Sequence, residues 1–191
     1  MESQTEDSMR RIAISVALVV LLFAVMAQAQ TPTAKPGPEH NRLHVYNGEW
    51  TYEGETKATP LGPADKFTGK VTIRMILNGF FQEARFEEKH PSGLFHSILI
   101  TAYDPVNKKY TADSYGSDGS ISIGTVAFDG IVWDSSGTLI AGSKQYKVRG
   151  KDVLSKDLMS ITSTQELSPD GSTWTPWVAV LYTRIKAAPK K

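Results

Sequence analysis

Apolar and polar residues alternate along most of the chain after Tyr46, and this period of two constrains the fold more than any other feature. The alternation begins at Trp50, which shares one face with Tyr52, whereas Thr51 and Glu53 lie on the other face. Such a pattern is typical of a β-strand with one buried and one solvated side. We therefore predict strands throughout, and no helix of ordinary length after Tyr46.

Turn-forming residues interrupt the alternation at short intervals. Asn78-Gly79 is the strongest hairpin signal, because both positions tolerate a positive φ. Further turns are predicted at His90-Pro91-Ser92-Gly93, Asp104-Pro105-Val106-Asn107 and Ser168-Pro169-Asp170-Gly171. The turns divide the chain into roughly ten antiparallel strands. Consecutive hairpins favour an up-and-down barrel over a sandwich, and closure also removes unpaired strand edges.

A short helix is predicted ahead of the first strand, from Pro38 to Tyr46. Proline suits the first helical position, and Glu39 suits the positive end of the helix dipole. Leu43 and Tyr46 are spaced three apart, so they share one face of this helix. The predicted fold class is therefore all-β: an up-and-down antiparallel barrel with a short N-terminal helix.

The N-terminal segment resembles a secretory signal peptide. Arg10 and Arg11 precede an apolar run of 15 residues, which Ala27-Gln28-Ala29 follows as a cleavage pattern. We predict cleavage after Ala29 and a secreted or periplasmic bacterial protein without a stable membrane anchor. The alternative is an uncleaved anchor, although a spanning helix needs about 20 apolar residues. The predicted organisation is a signal peptide at 1–29, a flexible lead at 30–37, the barrel domain at 38–187 and a disordered tail at 188–191.

Charge and composition exclude several classes of function. The formal net charge of +1 gives no electrostatic reason to bind nucleic acid. Because the chain contains no cysteine, disulfides, thiolate chemistry and cysteine-ligated metal sites are excluded. No Gly-x-Ser-x-Gly turn presents a nucleophile. Glu87 and Glu88 point to opposite faces of a strand and cannot act as a pair, so we predict no catalytic residue.

The four histidines predict neither a metal site nor a cofactor. His40 and His44 share a face of the short helix, but Asn41 occupies the place of the general-base Glu in the metalloprotease pattern. Haem iron needs an axial ligand from the protein, and His90 lies at a turn. His96 lies within a strand, where it could contact a ligand, fill the core or face outward. Haem ligation would therefore rest on His96 or on a tyrosine.

Aromatic residues on the strands leave two interpretations of the interior. A barrel of this size either fills with side chains or holds one small ligand. For a ligand we predict anchoring side chains on the strands, and we select the following candidates: Tyr52, Arg74, Gln82, His96 and Tyr182.

The chain resembles the calycin superfamily of lipocalin-like barrels, and more closely a bacterial family of exported proteins known as a domain of unknown function. The matching motifs are Pro38-Glu39-His40, Gly48-Glu49-Trp50-Thr51, Tyr103-Asp104, Lys108-Lys109-Tyr110, Ser168-Pro169-Asp170-Gly171-x-x-Trp174 and Tyr182-Thr183-Arg184. The resemblance implies that Gly48 and Trp50 belong to the closed end of the barrel and that Arg184 packs over Trp50. The chain departs from lipocalins in lacking their disulfide. It departs from nitrobindin-like haem barrels in having no histidine after His96.

The function predicted from these features is non-covalent binding of a small, largely apolar ligand at the open end of the barrel. The first alternative is a filled barrel that serves as an interaction module of the cell envelope. A calycin-type enzyme and a haem-binding barrel are further alternatives. The sequence identifies no protein partner.

Overall fold

Ten antiparallel strands form one closed barrel, as predicted, in the computed structural model of the protein, which describes residues 35–185. The first five strands are β1 (Gly48–Thr56), β2 (Asp65–Ile76), β3 (Phe81–His90), β4 (Gly93–Asp104) and β5 (Lys109–Gly116). The second five are β6 (Ile121–Asp129), β7 (Val132–Ala141), β8 (Lys144–Leu154), β9 (Ser160–Ser168) and β10 (Thr175–Arg184).

Each strand pairs with its neighbours in sequence, and β1 closes the barrel against β10. The closing register places Trp50 opposite Arg184 and Tyr52 opposite Tyr182. Since side chains alternate between the two faces of a strand, this register points all four residues toward the interior.

The Asn78-Gly79 turn is longer than a two-residue hairpin. Leu77–Gly79 forms a 3₁₀ turn in which Leu77, Asn78 and Gly79 have φ values of 47°, 60° and 87°. Leucine seldom adopts a positive φ, and here its side chain stays 67% exposed. The Asn78-Gly79 signal located the hairpin correctly, but the turn also includes Leu77.

The predicted N-terminal helix is α1 (Pro38–Arg42) followed by a 3₁₀ turn (Leu43–Tyr46), and this segment closes one end of the barrel. Leu43 and Tyr46 are its buried residues. The indole Nε1 of Trp50 donates to the Tyr46 carbonyl at 3.0 Å. Gln82 Nε2 donates to the Leu43 carbonyl at 2.6 Å, so the helix is fastened to both β1 and β3.

Aromatic rings fill the closed end. Tyr46 meets Trp133 edge-on at 5.4 Å between ring centroids, and Phe128 lies 4.6 Å from Trp133 and 4.7 Å from Tyr110. At the other end, Leu61 from the connection between β1 and β2 packs on a second cluster. The further members of that cluster are Leu139, Tyr146, Val148, Leu167 and Trp177. The barrel is therefore densely packed at its closed end. At the opposite end, only one side is packed in this way.

The predicted signal peptide, the first part of the flexible lead and the C-terminal tail lie outside the described residues. Within residues 35–185, no helix combines the length and apolar character needed to cross a membrane.

Candidate ligand site in the barrel interior

Gly69 on β2 creates the space that Tyr52 occupies. The two residues are opposite each other in the register of β1 and β2. A Cβ atom at Gly69 would collide with the Tyr52 ring and would lie 2.6 Å from the Glu87 carbonyl oxygen. Only glycine therefore lets the ring lie against the wall of the barrel.

The Tyr52 hydroxyl is buried and makes no hydrogen bond to any described residue. The whole side chain is only 4% exposed, and its ring lies 5.0 Å from the ring of Tyr182. Burial raises the pKa of Tyr52, and the nearby charge of Glu88 adds to the shift. The Glu88 carboxyl is near enough for a weak hydrogen bond to add to this shift, but the contact falls outside normal hydrogen-bond geometry. An unpaired buried hydroxyl is costly, because it has lost its water without gaining a partner.

Glu88 faces the interior on β3, on the same side of the strand as Phe86. Its side chain is 19% exposed, and burial raises its pKa, although its hydrogen bond to His90 and a weaker one with Tyr52 oppose the shift. His90 lies at the rim, where Nε2 is 3.2 Å from Glu88 and Nδ1 is 3.0 Å from Asp65. Burial lowers the pKa of His90, but these two carboxyl partners outweigh it and the net shift is upward.

Asp152 is a second interior carboxyl, and it has no positively charged partner in the described chain. It faces inward on β8, opposite Ser163 on β9 and Trp133 on β7. Burial raises the pKa of Asp152 to about 6, and the Ser163 hydroxyl only partly opposes the shift. Asp152 is desolvated, yet its side chain keeps some accessible surface. A residue with both properties lines an internal space.

Tyr182 lies between the two carboxyls. Burial raises its pKa, and the charges of Asp152 and Glu88 raise it further. We call Tyr52, Glu88, Asp152, Ser163 and Tyr182 the interior polar cluster. It combines two phenols, two carboxyls and one hydroxyl on strands β1, β3, β8, β9 and β10.

Side chains do not pack the lumen completely at the level of this cluster. Inward-facing apolar side chains of the middle of the barrel are only half-buried, in contrast to the fully buried Trp50 and Leu154 of the closed end. The half-buried set includes Ile73, Phe86, Leu99, Ala112, Val148 and Val178. A side chain that points into a closed barrel keeps accessible surface only where space remains beside it.

A trough of about 830 Å³ runs along the wall formed by β9, β10, β1, β2 and β3. Gly54, Phe67 and Val180 are part of its lining, together with outward-facing residues such as Lys66 and Leu181. None of the residues lining it belongs to β4–β8 or to the interior polar cluster, Ser163 excepted. The trough thus extends over the rim of the barrel, and Ser163 is the member of the polar cluster that borders it.

The histidines form no metal-binding group in the described part of the chain, where no cluster of three or more His, Asp and Glu has the arrangement for an ion. His40 accepts a hydrogen bond from the Gly37 backbone N–H at 3.0 Å. Its ring packs edge-on against Phe80 and Tyr103. It thus caps α1 and anchors it to the barrel.

The five predicted anchors separate into three groups. Tyr52 and Tyr182 lie together in the interior polar cluster. Gln82 faces inward at the closed end, where the Leu43 carbonyl and Asn47 Oδ1 satisfy its amide. Arg74 and His96 lie on the outer face, exposed, and so cannot line the lumen.

The outward position of Arg74 and His96 has a physical cause. Arg74 alternates with buried residues on β2 and pairs with Glu83 at 3.0 Å on the outside. His96 lies on β4, where both faces carry apolar side chains, so periodicity alone does not distinguish the inner face from the outer one. The inward set on β4 contains Leu99 and Thr101.

Arg184 covers the closed end. Its guanidinium carbon lies 4.0 Å from the centroid of the Trp50 ring, close enough for a cation–π contact. The guanidinium also donates to the carbonyls of Asn47, Val45 and Leu158. Gly48, with a φ of 131°, leaves room for the arginine head group.

Sequence reasoning missed Glu88 and Asp152 as interior groups, although a signal was present. Glu88 falls on the same side of its strand as Ala84 and Phe86, and Asp152 on the same side as Leu154. A carboxyl on the apolar face of an alternating strand is unusual in a filled core. The position of Glu88 on the apolar face therefore indicated more about the interior than the fact that Glu87 and Glu88 point to opposite faces.

Comparisons with known proteins support the fold and leave the function open. Residues 35–184 match a family model described as "Protein of unknown function (DUF1579)". No curated protein matches. Among solved structures, the crystal structure of Rv2717c from M. tuberculosis is similar at a TM-score of 0.59 and 13% identity, covering 78% of this chain and 99% of that chain. A de novo designed fluorescence-activating β-barrel gives a TM-score of 0.42 at 13% identity, covering 75% and 96%. At 13% identity, the likeness to Rv2717c shows the fold alone.

Proposed function

The chain belongs to DUF1579, a family of proteins of unknown function, and we propose that its barrel binds one small, largely apolar molecule non-covalently. The site is the lumen above the closed end, in a calycin-like arrangement. The observation that supports this most is the ring of half-buried, inward-facing apolar side chains around the unpaired Tyr52 hydroxyl. Binding sites for small molecules are typically apolar hollows with a few polar anchors.

The structure divides the interior in a way that suits a bound molecule. Trp50, Tyr46 and Leu43 seal one end, so a ligand cannot pass through the barrel. Half-buried residues such as Phe86 and Leu99 would supply apolar contact area above that seal. Burying each methylene of a ligand there contributes about 0.8 kcal/mol. A short aliphatic or aromatic body would thus supply most of the affinity.

A fluorescent probe for apolar sites tests the proposal, with two matched tryptophan variants. Ser114 faces inward on β5 between Leu99 and Ser122, so Ser114→Trp should fill the lumen. Ile123 on β6 faces outward and is 55% exposed, so Ile123→Trp adds the same side chain outside. We expect the probe to bind the unmodified protein and Ile123→Trp equally, and to lose at least tenfold in affinity for Ser114→Trp. Equal binding by both variants would place the probe outside the lumen and refute the proposal.

An interaction module is a second candidate, and one feature of the outer surface favours it. Ile98, Tyr115, Ile121 and Ile140 follow one another across β4, β5, β6 and β7 on the outside of the barrel. Tyr115 is 49% and Ile140 37% exposed. A protein partner on this strip would be released by Tyr115→Asp, a change that leaves the lumen untouched.

Export remains part of the proposal. The pattern of Arg10, Arg11, the apolar run and Ala27-Gln28-Ala29 supports a cleaved signal peptide and a periplasmic or secreted barrel. Separation of the periplasmic, secreted and cytoplasmic fractions of a bacterium that expresses the full chain would test it. Accumulation of uncleaved protein in the cytoplasm would refute it.

A further inference from the structure

We infer that the ligand of the lumen is a cation: an amine, protonated at neutral pH, on an apolar body. Glu88 and Asp152 provide its counter-charges. This inference rests on the proposed function, because it specifies the chemical class of the molecule that would occupy the same site.

The charges of the interior are unbalanced. Glu88 and Asp152 both face the lumen, and Tyr182 experiences the charge of each. Lysine and arginine side chains in the middle of the strands, such as Lys70, Arg85 and Lys151, alternate to the outer face. Within the described chain, His90 at the rim is the one basic side chain that contacts either carboxyl, and none contacts Asp152.

The two basic groups nearest the interior are already occupied. Arg184 lies against Trp50 at the closed end and donates to three backbone carbonyls. His90 lies at the rim, where Asp65 and Glu88 each contact one ring nitrogen. Neither group is directed at Asp152, so no basic side chain of the described residues balances its negative charge. A cationic ligand would do so.

The Tyr52 hydroxyl gives an independent indication of a ligand. It is buried within a side chain that is 4% exposed, it faces the cluster, and its contact with Glu88 falls outside normal hydrogen-bond geometry. A phenol oxygen accepts hydrogen bonds, and an ammonium group supplies three donors and no acceptor. A protonated amine beside Tyr52 and Glu88 would satisfy both groups at once.

The aromatic surroundings also favour a cation. The rings of Tyr52 and Tyr182 lie 5.0 Å apart, and Phe86 lies 6.2 Å from Tyr52. Aromatic faces attract alkylammonium groups through the ring quadrupole. A carboxylate ligand would instead meet two acidic groups of like charge in a poorly solvated space, so the lumen should discriminate against fatty acids.

Three ligands of equal chain length test this inference: dodecylamine, dodecanol and dodecanoate, each measured by displacement of the apolar probe below its micellar concentration. We expect the amine to bind at least about tenfold more tightly than the alcohol, as one hydrogen bond to a charged group would give, and the acid to bind most weakly. In a Glu88→Gln/Asp152→Asn double variant, the amine-to-alcohol ratio should fall below about twofold.

The matched control neutralises two outward carboxylates, in a Glu87→Gln/Asp134→Asn variant, and should keep the full preference for the amine. If dodecanol binds but the amine shows no preference, or keeps its preference in the double variant, the inference fails and the proposed function stands. If none of the three ligands displaces the probe, or the acid is the tightest, the inference is overturned. The proposed function is decided separately, by whether Ser114→Trp weakens binding of the probe itself.

Discussion

Replacing Asp152 by asparagine should stabilise the barrel at alkaline pH and leave it unchanged at acid pH. The pKa of Asp152 is raised from 3.8 to about 6 in the folded protein, because burial disfavours the charged form. Between these two pH values the folded protein holds a proton that the unfolded chain has released. The free energy of unfolding therefore falls as pH rises through this window, and the penalty is complete above about pH 6.

The structure sets the size of this penalty. A rise in the pKa from 3.8 to about 6 corresponds to roughly 3 kcal/mol, because a tenfold change in proton affinity is worth about 1.4 kcal/mol. The groups that face Asp152 do not offset it. Burial raises the pKa of Tyr46 to about 12 and raises that of Tyr182 as well, so both phenols stay neutral across the window, and Ser163 and Trp133 carry no charge. An asparagine has its own desolvation cost, so we expect a gain of about 2 kcal/mol above pH 7.

Urea denaturation of the two proteins at pH 4 and pH 8 measures this difference. Asp134→Asn is the control, because Asp134 is an exposed carboxylate 3.6 Å from Lys151 on the same pair of strands. A surface pair of this kind contributes about 0–1 kcal/mol, so the control should change little at either pH. The reasoning is refuted if Asp152→Asn destabilises the barrel at pH 8, or if its gain is the same at pH 4.

Three further predictions concern the closed end, the wall and the N-terminus. Trp50→Ala should lower the free energy of unfolding by about 3–5 kcal/mol, and Arg184→Ala should lower it by less. A double-mutant cycle in urea should give a coupling energy of about 0.5–3 kcal/mol between the two residues. Additive effects would mean that their contact contributes nothing to stability. Gly69→Ala should displace the ring of Tyr52 and cost about 1–3 kcal/mol by overpacking, together with a loss of probe binding; unchanged stability and binding would contradict this. N-terminal sequencing of exported protein should begin at Gln30, and a sequence that retains the apolar run before Ala27 would contradict it.

The strands and their order could be predicted because each depends on local information. The alternation from Trp50 onward fixes which residues share a face, and turn signals such as Asn78-Gly79 locate the hairpins. Short connections then leave closure of β1 on β10 as the simplest topology. The N-terminal helix followed from Pro38 and from the spacing of Leu43 and Tyr46 in the same way.

The interior could be predicted only in part, because it depends on contacts between distant strands. Tyr52 lies on an unambiguous alternating face, whereas His96 lies on a strand whose two faces are both apolar. The partners of Asp152 come from β7, β9 and β10, and no local pattern shows that none of them is basic. The unpaired hydroxyl of Tyr52 likewise becomes apparent only when the surrounding strands are in place.

A titration of the barrel with dodecylamine, followed by two-dimensional amide NMR, tests the central claim most directly. The account predicts the largest shifts at the amides of Tyr52, Glu88, Asp152 and Tyr182, with the outward Ile140 and its neighbours unchanged. The same shifts should be absent in the Ser114→Trp variant, whose lumen is filled. Shifts confined to the outer strip around Ile140, or no shifts at ligand concentrations that displace the probe, would contradict the claim that the lumen holds the ligand.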